Sequence, residues 1–347
     1  MLNPAQKETE EILEQLEKQI RKEYRKAAKE VSKKLNEYLQ AFATKDEIKR
    51  EQLANGIITK AQYNEWRTGQ IMIGQRWQEM RDTLAKDLQN ASEIAKNLTS
   101  GRMLDVYALN HNYATFEVEK GSLVDTSYTL YNRRTVEHIL QGNKIYPDPG
   151  RRTRRRIAAG QELAWNKQKI DSVMLQGILQ GESIPNLAKR LDRVTASGYK
   201  ASIRNARTMT TGVENAGHAD AYQRASDMGI DVKQVWLATL DDRTRHSHRE
   251  MDGEAIEPGE TFSNGLRYPG DPYGEPEEIY NCRCRVISQV KPYTRDLSNT
   301  DMRHNKNLGN MSYETWKKGH SDPNPITRPD EIANAMRWSY INDYRRR

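Results

Sequence analysis

The chain has 347 residues and a formal net charge of +7, and only 36% of its residues are hydrophobic whereas 30% are charged. This balance excludes one large apolar globule and favours long solvated helices joined to a smaller compact part. No apolar run approaches the roughly eighteen residues of a membrane span, and no hydrophobic segment follows a basic N-terminus. We therefore expect a cytosolic protein with no membrane partner and with its two cysteines reduced.

Residues 1–150 are predicted to form an extended helical region. Apolar residues recur at three- and four-residue spacing over residues 5–43, which predicts one long helix. Its narrow apolar stripe is typical of a helix that packs against another helix or against a second copy of the chain. Thr59 is placed to cap a helix that runs toward Trp77, and Gly101 is expected to end the helical pattern that follows. A turn-rich linker is predicted at residues 146–150.

Residues 151–234 are predicted to be a helical segment, and they carry a net charge of +7. We expect one helix that ends at Gly181, a second that begins after the cap Ser183, and a third over residues 202–228. Strand-like runs at 235–240 and 284–287 then enclose a stretch rich in turn residues, in a module at 235–290 with a net charge of −5. Residues 291–347 form a polar basic tail. The predicted fold class is mainly α with a small α+β module.

The module contains a series of uncommon residues in a fixed order. Between Trp236 and Cys284 it reads W…DDRTRHSH…DG…PGDP…NCRC. This order resembles the Mu F-like domain of phage head morphogenesis proteins, also called minor head or minor capsid proteins, and residues 204–222 resemble the helix that precedes it. The resemblance covers about residues 165–290 and implies a compact, loop-rich Mu F-like domain at 235–290. The motif residues that carry it are Trp236, Asp242, Arg243, Arg245, Gly253 and Asn281.

Three residues of the module are candidate metal ligands. His248, Cys282 and Cys284 supply the imidazole and thiolate groups that zinc prefers, and Asp252, Asp242 or His246 is a candidate fourth ligand. A structural zinc ion would stabilise a loop-rich module with a small apolar core. The alternative is that His248 and the aspartates bind loop backbone groups while the cysteines act as small buried hydrophobic residues.

Arginines in two places are expected to bind anionic groups. Arg243 and Arg245 are placed to bind the carboxylates of Asp241, Asp242 or Asp252 and so to fix the loop without a metal. A second set, called the arginine cluster below, is predicted either to contact DNA phosphates without sequence preference or to be a solvated helix start. The arginine cluster consists of Arg151, Arg152, Arg154, Arg155 and Arg156.

The resemblance implies a structural protein of a tailed bacteriophage virion rather than an enzyme. Such a protein would be made in the host cytoplasm, would enter the procapsid in a few copies near the portal, inside the capsid, and would contact the portal, other capsid or scaffold proteins and DNA. Self-association through the N-terminal helix is a further expectation. The alternative is a metal-dependent nuclease that uses His248, Asp252 and Glu250, or a thiol hydrolase that uses Cys282 or Cys284. The negative charge of the module disfavours a polyanionic substrate.

Overall fold

Helices dominate the computed structural model, which describes residues 2–137, 159–291, 303–304 and 306–320. Long helices account for most of the described residues, and a 3-10 turn occupies Lys306–Asn310. The mainly α prediction is confirmed. The helices whose bounds are defined are α1 Pro4–Ala54, α2 Lys60–Ile71, α3 Gln75–Ser122, α4 Ala159–Leu179, α5 Ile184–Asp227, α6 His246–Glu250, α7 Pro276–Ile279 and α8 Tyr313–Gly319.

The β-structure is small and antiparallel. Strands β2 (Val232–Leu237), β3 (Ala255–Ile256) and β4 (Arg285–Val290) form one sheet in the order β3-β2-β4. A separate pair joins β1 (Val124–Asp125) to β5 (Arg303–His304). In the three-stranded sheet Trp236 is opposite Val286, so the end of β2 lies beside the start of β4.

The helix starts follow the capping residues, but two predicted helix ends are wrong. Thr59 caps α2 with a full capping box that includes Gln62, as predicted. However, α2 ends at Ile71, and Gly74, with a φ of +100°, separates it from α3. Gly101 does not end a helix, because α3 continues to Ser122 and buries Met103 and other apolar side chains beyond the glycine.

The middle segment also departs from the prediction in one respect. Gly181 ends α4 with a φ of +72°, and the carbonyl oxygen of Ser183 accepts a hydrogen bond from the N–H of Leu187 at 2.9 Å as α5 begins. The predicted second and third helices are one helix, α5, because Gly198 keeps a helical backbone beneath the ring of Tyr24. No helix in the described part of the chain combines the length and the apolar character that a bilayer crossing requires.

The described residues divide into two compact units. One unit takes the described residues of Met1–Gln15, Thr99–Arg154 and Asn205–Arg347, and the other takes those of Leu16–Leu98 and Arg155–Arg204. In the second unit the apolar stripe of α1, which includes Val31, Leu35 and Leu39, is buried against α2, α3, α4 and α5. The predicted helix partner of this stripe is therefore supplied by the chain itself.

The first unit holds the module in its own core. Apolar residues of α3 and α5 pack there with the inward face of β2 and with Cys282 and Cys284. Along β2 burial alternates, so that Val232, Gln234 and Trp236 face inward. The strand was predicted at 235–240, but it ends at Leu237 because the N–H of Ala238 bonds to the Asp252 side chain instead of to a strand.

Candidate metal centre

Trp236 forms the apolar wall beside the predicted ligands. Its side chain is fully buried, and it packs edge-on against the rings of His248 and Phe262, with ring centroids 5.2 and 5.1 Å apart. Gly253 supports this position, because its backbone N–H bonds to the Trp236 carbonyl oxygen at 2.8 Å with a φ of +82°. The tryptophan therefore fixes the plane of the imidazole.

His248 lies on α6 and is oriented by a carboxylate. Its Nε2 atom is 2.7 Å from Oε2 of Glu278, a residue of α7 that also accepts hydrogen bonds from Ser247 and Asn264. A carboxylate only accepts hydrogen bonds, so Nε2 donates its proton to Glu278. The other ring nitrogen, Nδ1, faces the two cysteines.

The cysteines reach His248 because the chain turns sharply at Asn281. Asn281 adopts a φ of +58°, a left-handed conformation that asparagine tolerates better than most residues. The two sulfur atoms then lie 3.6 Å (Cys282) and 3.4 Å (Cys284) from Nδ1 of His248. One ligand atom from each of the three residues lies within 4.8 Å of the other two, and each residue is at most 4% exposed. We call these three residues the thiol–histidine centre.

The two thiols titrate as a pair. The hydrogen bond from the Cys282 thiol lowers the pKa of Cys284, and His248 and the backbone of Thr239 lower it further. The same bond, together with burial, raises the pKa of Cys282. One thiolate is therefore favoured beside the imidazole, and the thiolate is the form of cysteine that binds metals.

Three residues outside the predicted site hold the cysteine strand in place. Asn215 of α5 donates to the Cys284 carbonyl oxygen at 3.1 Å and accepts from the N–H of Val286 at 2.8 Å. Thr239 donates to the Arg283 carbonyl oxygen at 2.7 Å, and the N–H of Asn281 donates to Thr208 at 3.3 Å. Asn215 and Thr208 lie in segment 204–222, which resembles the helix that precedes the Mu F-like domain. That resemblance was the only sequence signal that could have indicated their role beside the cysteines.

The comparisons with known proteins identify this region. Residues 168–287 match the sequence model of the family described as phage Mu protein F like protein. These residues are therefore similar to the Mu F-like domain. Minor head protein GP7 of Bacillus phage SPP1 is 32% identical over 123 residues, which are 34% of this chain and 39% of that protein. The resemblance deduced from the motif series is thus confirmed.

Two further curated relatives and the solved structures complete the comparison. An NAD(+)–arginine ADP-ribosyltransferase EFV of Enterococcus faecalis is 26% identical over 219 residues, or 60% of this chain and 43% of that protein. An uncharacterized protein of Haemophilus influenzae is 29% identical over 119 residues, 34% of this chain and 24% of its own length. The chain thus spans less than half the length of each of these relatives. No solved structure matches it.

The Mu F-like domain match begins in α4 and ends within β4, so it includes α5 and the whole thiol–histidine centre. The candidate fourth ligands lie elsewhere. Asp252 accepts a hydrogen bond from the N–H of Ala238 at 2.8 Å, and the exposed His246 faces Glu250 at 3.3 Å. Asp242 is also exposed. Among the described residues, the group that the structure brings together is His248, Cys282 and Cys284.

The side chains of Arg243 and Arg245 do not pair with the carboxylates that the sequence suggested. Arg283 pairs with Asp241 through both of its terminal nitrogens, one of them 2.6 Å from Oδ1. Arg245 donates to the carbonyl oxygen of Tyr280, and Arg243 contributes its backbone N–H to Asp241 at 2.9 Å. The loop is therefore fixed without a metal at this point, but by a different arginine. The arginine cluster lies outside the described residues.

A second group of ligand-type residues lies in the same unit. Glu119, Asp125 and His320 are brought within 4.8 Å of one another, and we call them the carboxylate cluster. Glu119 is buried and accepts hydrogen bonds from Thr126 at 2.5 and 2.9 Å and from Trp316 at 2.5 Å. Its carboxylate oxygens are thus bound by protein donors.

Proposed function

We propose that this protein is a minor head component of a tailed bacteriophage that enters the procapsid in a few copies near the portal. The observation that carries the proposal is the Mu F-like domain at residues 168–287. Support comes from the similarity to a protein named minor head protein in phage SPP1. By this proposal the protein acts in the capsid interior, with portal, capsid or scaffold proteins as partners.

Procapsids from the phage genome that encodes this chain provide the test. We expect quantitative mass spectrometry to find the chain in purified procapsids at a few copies per portal ring, and we expect it to co-elute with the portal protein when the two are co-expressed. Absence from procapsids that otherwise assemble normally would overturn the proposal. A matched genome with a stop codon early in this reading frame is the control for contamination by free protein.

Catalysis is not part of the proposed function. The ligand groups of the thiol–histidine centre are almost completely buried, so a substrate would have no direct access to them. The module around them carries a net charge of −5, which disfavours nucleic acid there. Incubation of supercoiled DNA with the full chain and Mg²⁺, Mn²⁺ or Zn²⁺ should leave the DNA intact. Cleavage that His248→Ala abolishes would establish the nuclease alternative instead.

The similarity to the ADP-ribosyltransferase requires a separate test. The aligned residues are 43% of that relative, so its named activity need not lie in the shared part. We propose that the shared part is the head-protein part. Labelled NAD⁺ incubated with the full chain and an arginine polymer should give no incorporation above that of heat-inactivated chain. Clear incorporation would overturn the structural assignment.

DNA contact is proposed for the arginine cluster, because five guanidinium groups within six residues are suited to phosphate binding. Replacing all five arginines by glutamine should reduce the slope of log affinity against log salt by up to about 4 to 5. The matched control removes five exposed charges from α1 and should leave more of the slope. An equal loss in both variants would refute the assignment to the cluster. The control replaces Lys22, Arg25, Lys26, Lys29 and Lys33.

Self-association through α1 is disfavoured by the burial of its apolar stripe. The apolar stripe of this helix is buried within its own unit, so a second copy would have to use the polar face. We propose that the chain alone is monomeric and that its copies are gathered by the portal. Sedimentation of the purified full chain should give a monomer, and a stable dimer would contradict this.

A further inference from the structure

We propose that the thiol–histidine centre binds one zinc ion through Nδ1 of His248 and the sulfur atoms of Cys282 and Cys284, with a water molecule as the fourth ligand. The donor set is borderline-soft nitrogen and soft sulfur, which suits zinc rather than calcium or magnesium. This inference concerns the chemistry of the centre and does not depend on the role of the protein in the phage head.

The spacing of the three donor atoms fits tetrahedral coordination. Zinc binds imidazole nitrogen at about 2.0–2.1 Å and thiolate sulfur at about 2.3 Å, so the nitrogen and sulfur atoms of a tetrahedral site lie about 3.5–3.6 Å apart. The two sulfur atoms of the centre lie 3.6 and 3.4 Å from Nδ1. The two nitrogen–sulfur separations are therefore already those that the ion requires.

The imidazole is also prepared in the correct tautomer. Glu278 accepts the Nε2 proton at 2.7 Å, so Nδ1 is the ring nitrogen that faces the sulfur atoms and is placed to bind the ion. This carboxylate–histidine arrangement is the usual outer shell of a metal-bound histidine, where it fixes the ring and makes the ligand more basic.

Charge balance favours the ion over an empty pair of thiols. Two thiolates and a neutral imidazole carry a charge of −2, which Zn²⁺ cancels, so the filled centre leaves no net charge in the buried interior. The ion satisfies all three donors together.

The position of the centre gives the ion a structural role. Cys284 directly precedes β4, His248 lies on the short α6, and the module between them contains one two-residue strand, the four-residue α7 and long turns. Short elements of this kind have few backbone hydrogen bonds of their own, so a metal crosslink between them limits the loop entropy of the unfolded chain.

Metal content of the full chain tests the proposal. Protein expressed with added zinc and purified without chelator should contain about one zinc ion per chain by elemental analysis, and Cys284→Ser or His248→Ala should remove most of it. His246→Ala, which changes an exposed histidine two residues away, is the matched control and should keep the full content. Folded wild-type chain without stoichiometric zinc would overturn the proposal, as would stoichiometric binding of a different metal.

A second pair of variants tests the proposal even if the cysteine variants do not fold. Glu278→Gln keeps the three ligands and should weaken zinc binding about 10- to 100-fold in a competition with a chromogenic chelator. Glu277→Gln alters the exposed neighbour and should bind zinc as the wild type does. Equal affinity in both variants would contradict the assigned outer shell and tautomer.

Spectroscopy identifies the ligands directly. X-ray absorption of the zinc-loaded chain should fit two sulfur and two nitrogen or oxygen neighbours, and mercurial titration of both thiols should release one zinc ion per chain. A disulfide between Cys282 and Cys284, seen as a 2 Da loss in the intact mass of freshly purified protein, would overturn the proposal.

Discussion

The thiol–histidine centre and the carboxylate cluster look alike as lists of residues but differ in what their donor atoms contact. Both contain a histidine beside a tryptophan, at 5.2 Å for the buried His248 and Trp236 and 4.4 Å for the partly buried His320 and Trp316. In the first, the Nδ1 atom and the sulfur atoms face one another. In the second, Glu119 already binds Thr126 and Trp316.

This difference shows that closeness of ligand-type residues does not define a metal site. Burial raises the pKa of Glu119, and the two donors from Thr126 and Trp316 offset that cost, so the buried carboxylate is satisfied by the protein alone. Sulfur atoms accept hydrogen bonds weakly, so the cysteines gain more from an ion than from the neighbouring protein groups. The predictions below test this contrast.

Zinc removal should give the largest effect. If free zinc is 1,000 times the dissociation constant, binding stabilises the fold by about 4 kcal/mol. For a unit of roughly 150–250 residues, that free energy corresponds to a fall in Tm of about 8–16 °C when a strong chelator removes the metal. Thermal unfolding followed by circular dichroism measures the shift.

Glu119→Gln provides the control for that measurement. Its shift on chelation should equal that of the wild type, because the carboxylate cluster is not expected to hold metal. A wild-type Tm that the chelator leaves unchanged would contradict the zinc proposal. A chelation shift that is present in the wild type but absent in Glu119→Gln would show that the metal binds at the carboxylate cluster.

The two tryptophans should respond differently to replacement by phenylalanine. Trp316 donates a hydrogen bond to Glu119 at 2.5 Å, whereas Nε1 of Trp236 has no hydrogen-bond partner among the described residues. Trp316→Phe therefore leaves a buried carboxylate oxygen short of a donor, and we expect it to lower the free energy of unfolding by about 1–3 kcal/mol more than Trp236→Phe. Urea unfolding midpoints of the two variants give the comparison, and the reverse order would refute it.

The sequence predicted which residues meet at the centre better than it predicted the residues that surround them. Trp236, His248, Cys282 and Cys284 occur in an order typical of one domain family, and the structure brings them together. Glu278 was missed because it is one of eleven acidic residues in the module, and nothing in its spacing distinguishes it from the others. The role of a carboxylate in an irregular loop depends on the tertiary path of the chain.

Helix ends show the same limit. Gly101 and Gly198 have the residue type that commonly ends a helix, yet both remain helical because apolar residues on each side are buried in the fold. Gly74 and Gly181 do interrupt helices, with φ values of +100° and +72°. Local propensity is the same in all four cases, so only packing separates them.

A close backbone approach near the centre should be sensitive to one methyl group. A Cβ atom at Gly212 of α5 would lie 2.7 Å from the carbonyl oxygen of Gly270, in the turn that Asn215 also binds through Pro269 at 3.0 Å. Gly212→Ala should destabilise the protein by about 1–3 kcal/mol. Gly101→Ala is the matched control and should stabilise it by about 0.5–1 kcal/mol, since the nearest atom is 4.0 Å away.

Urea unfolding of the two glycine variants measures both effects. The zinc content of folded Gly212→Ala should also be lower, because α5 holds the Cys284 strand through Asn215. A Gly212→Ala chain as stable as Gly101→Ala would show that the turn moves away at little cost. In that case the close approach does not position the centre.

The buried His218 extends the comparison to a histidine without a carboxylate partner. Its ring contacts the neutral groups of Tyr222 at 3.0 Å and Asn110 at 3.3 Å, and burial, together with the positive charge of Arg285, lowers its pKa to about 3. The folded chain therefore keeps this ring neutral while the unfolded chain protonates it near pH 6.5. Stability linked to His218 is present above pH 6.5 and is lost as the pH falls from 6.5 toward 3.

The expected change is small but can be isolated with a variant. Between pH 7 and pH 6 the unfolding free energy of the wild type should fall by about 0.7 kcal/mol more than that of His218→Gln, which has no proton to bind. Other titrating groups, including Glu214, whose burial raises its pKa to about 7, contribute to both chains and cancel in the difference. Urea midpoints at the two pH values measure it. If the two chains lose equal stability, His218 takes up its proton in the folded state, and its neutral partners do not hold it as the structure indicates.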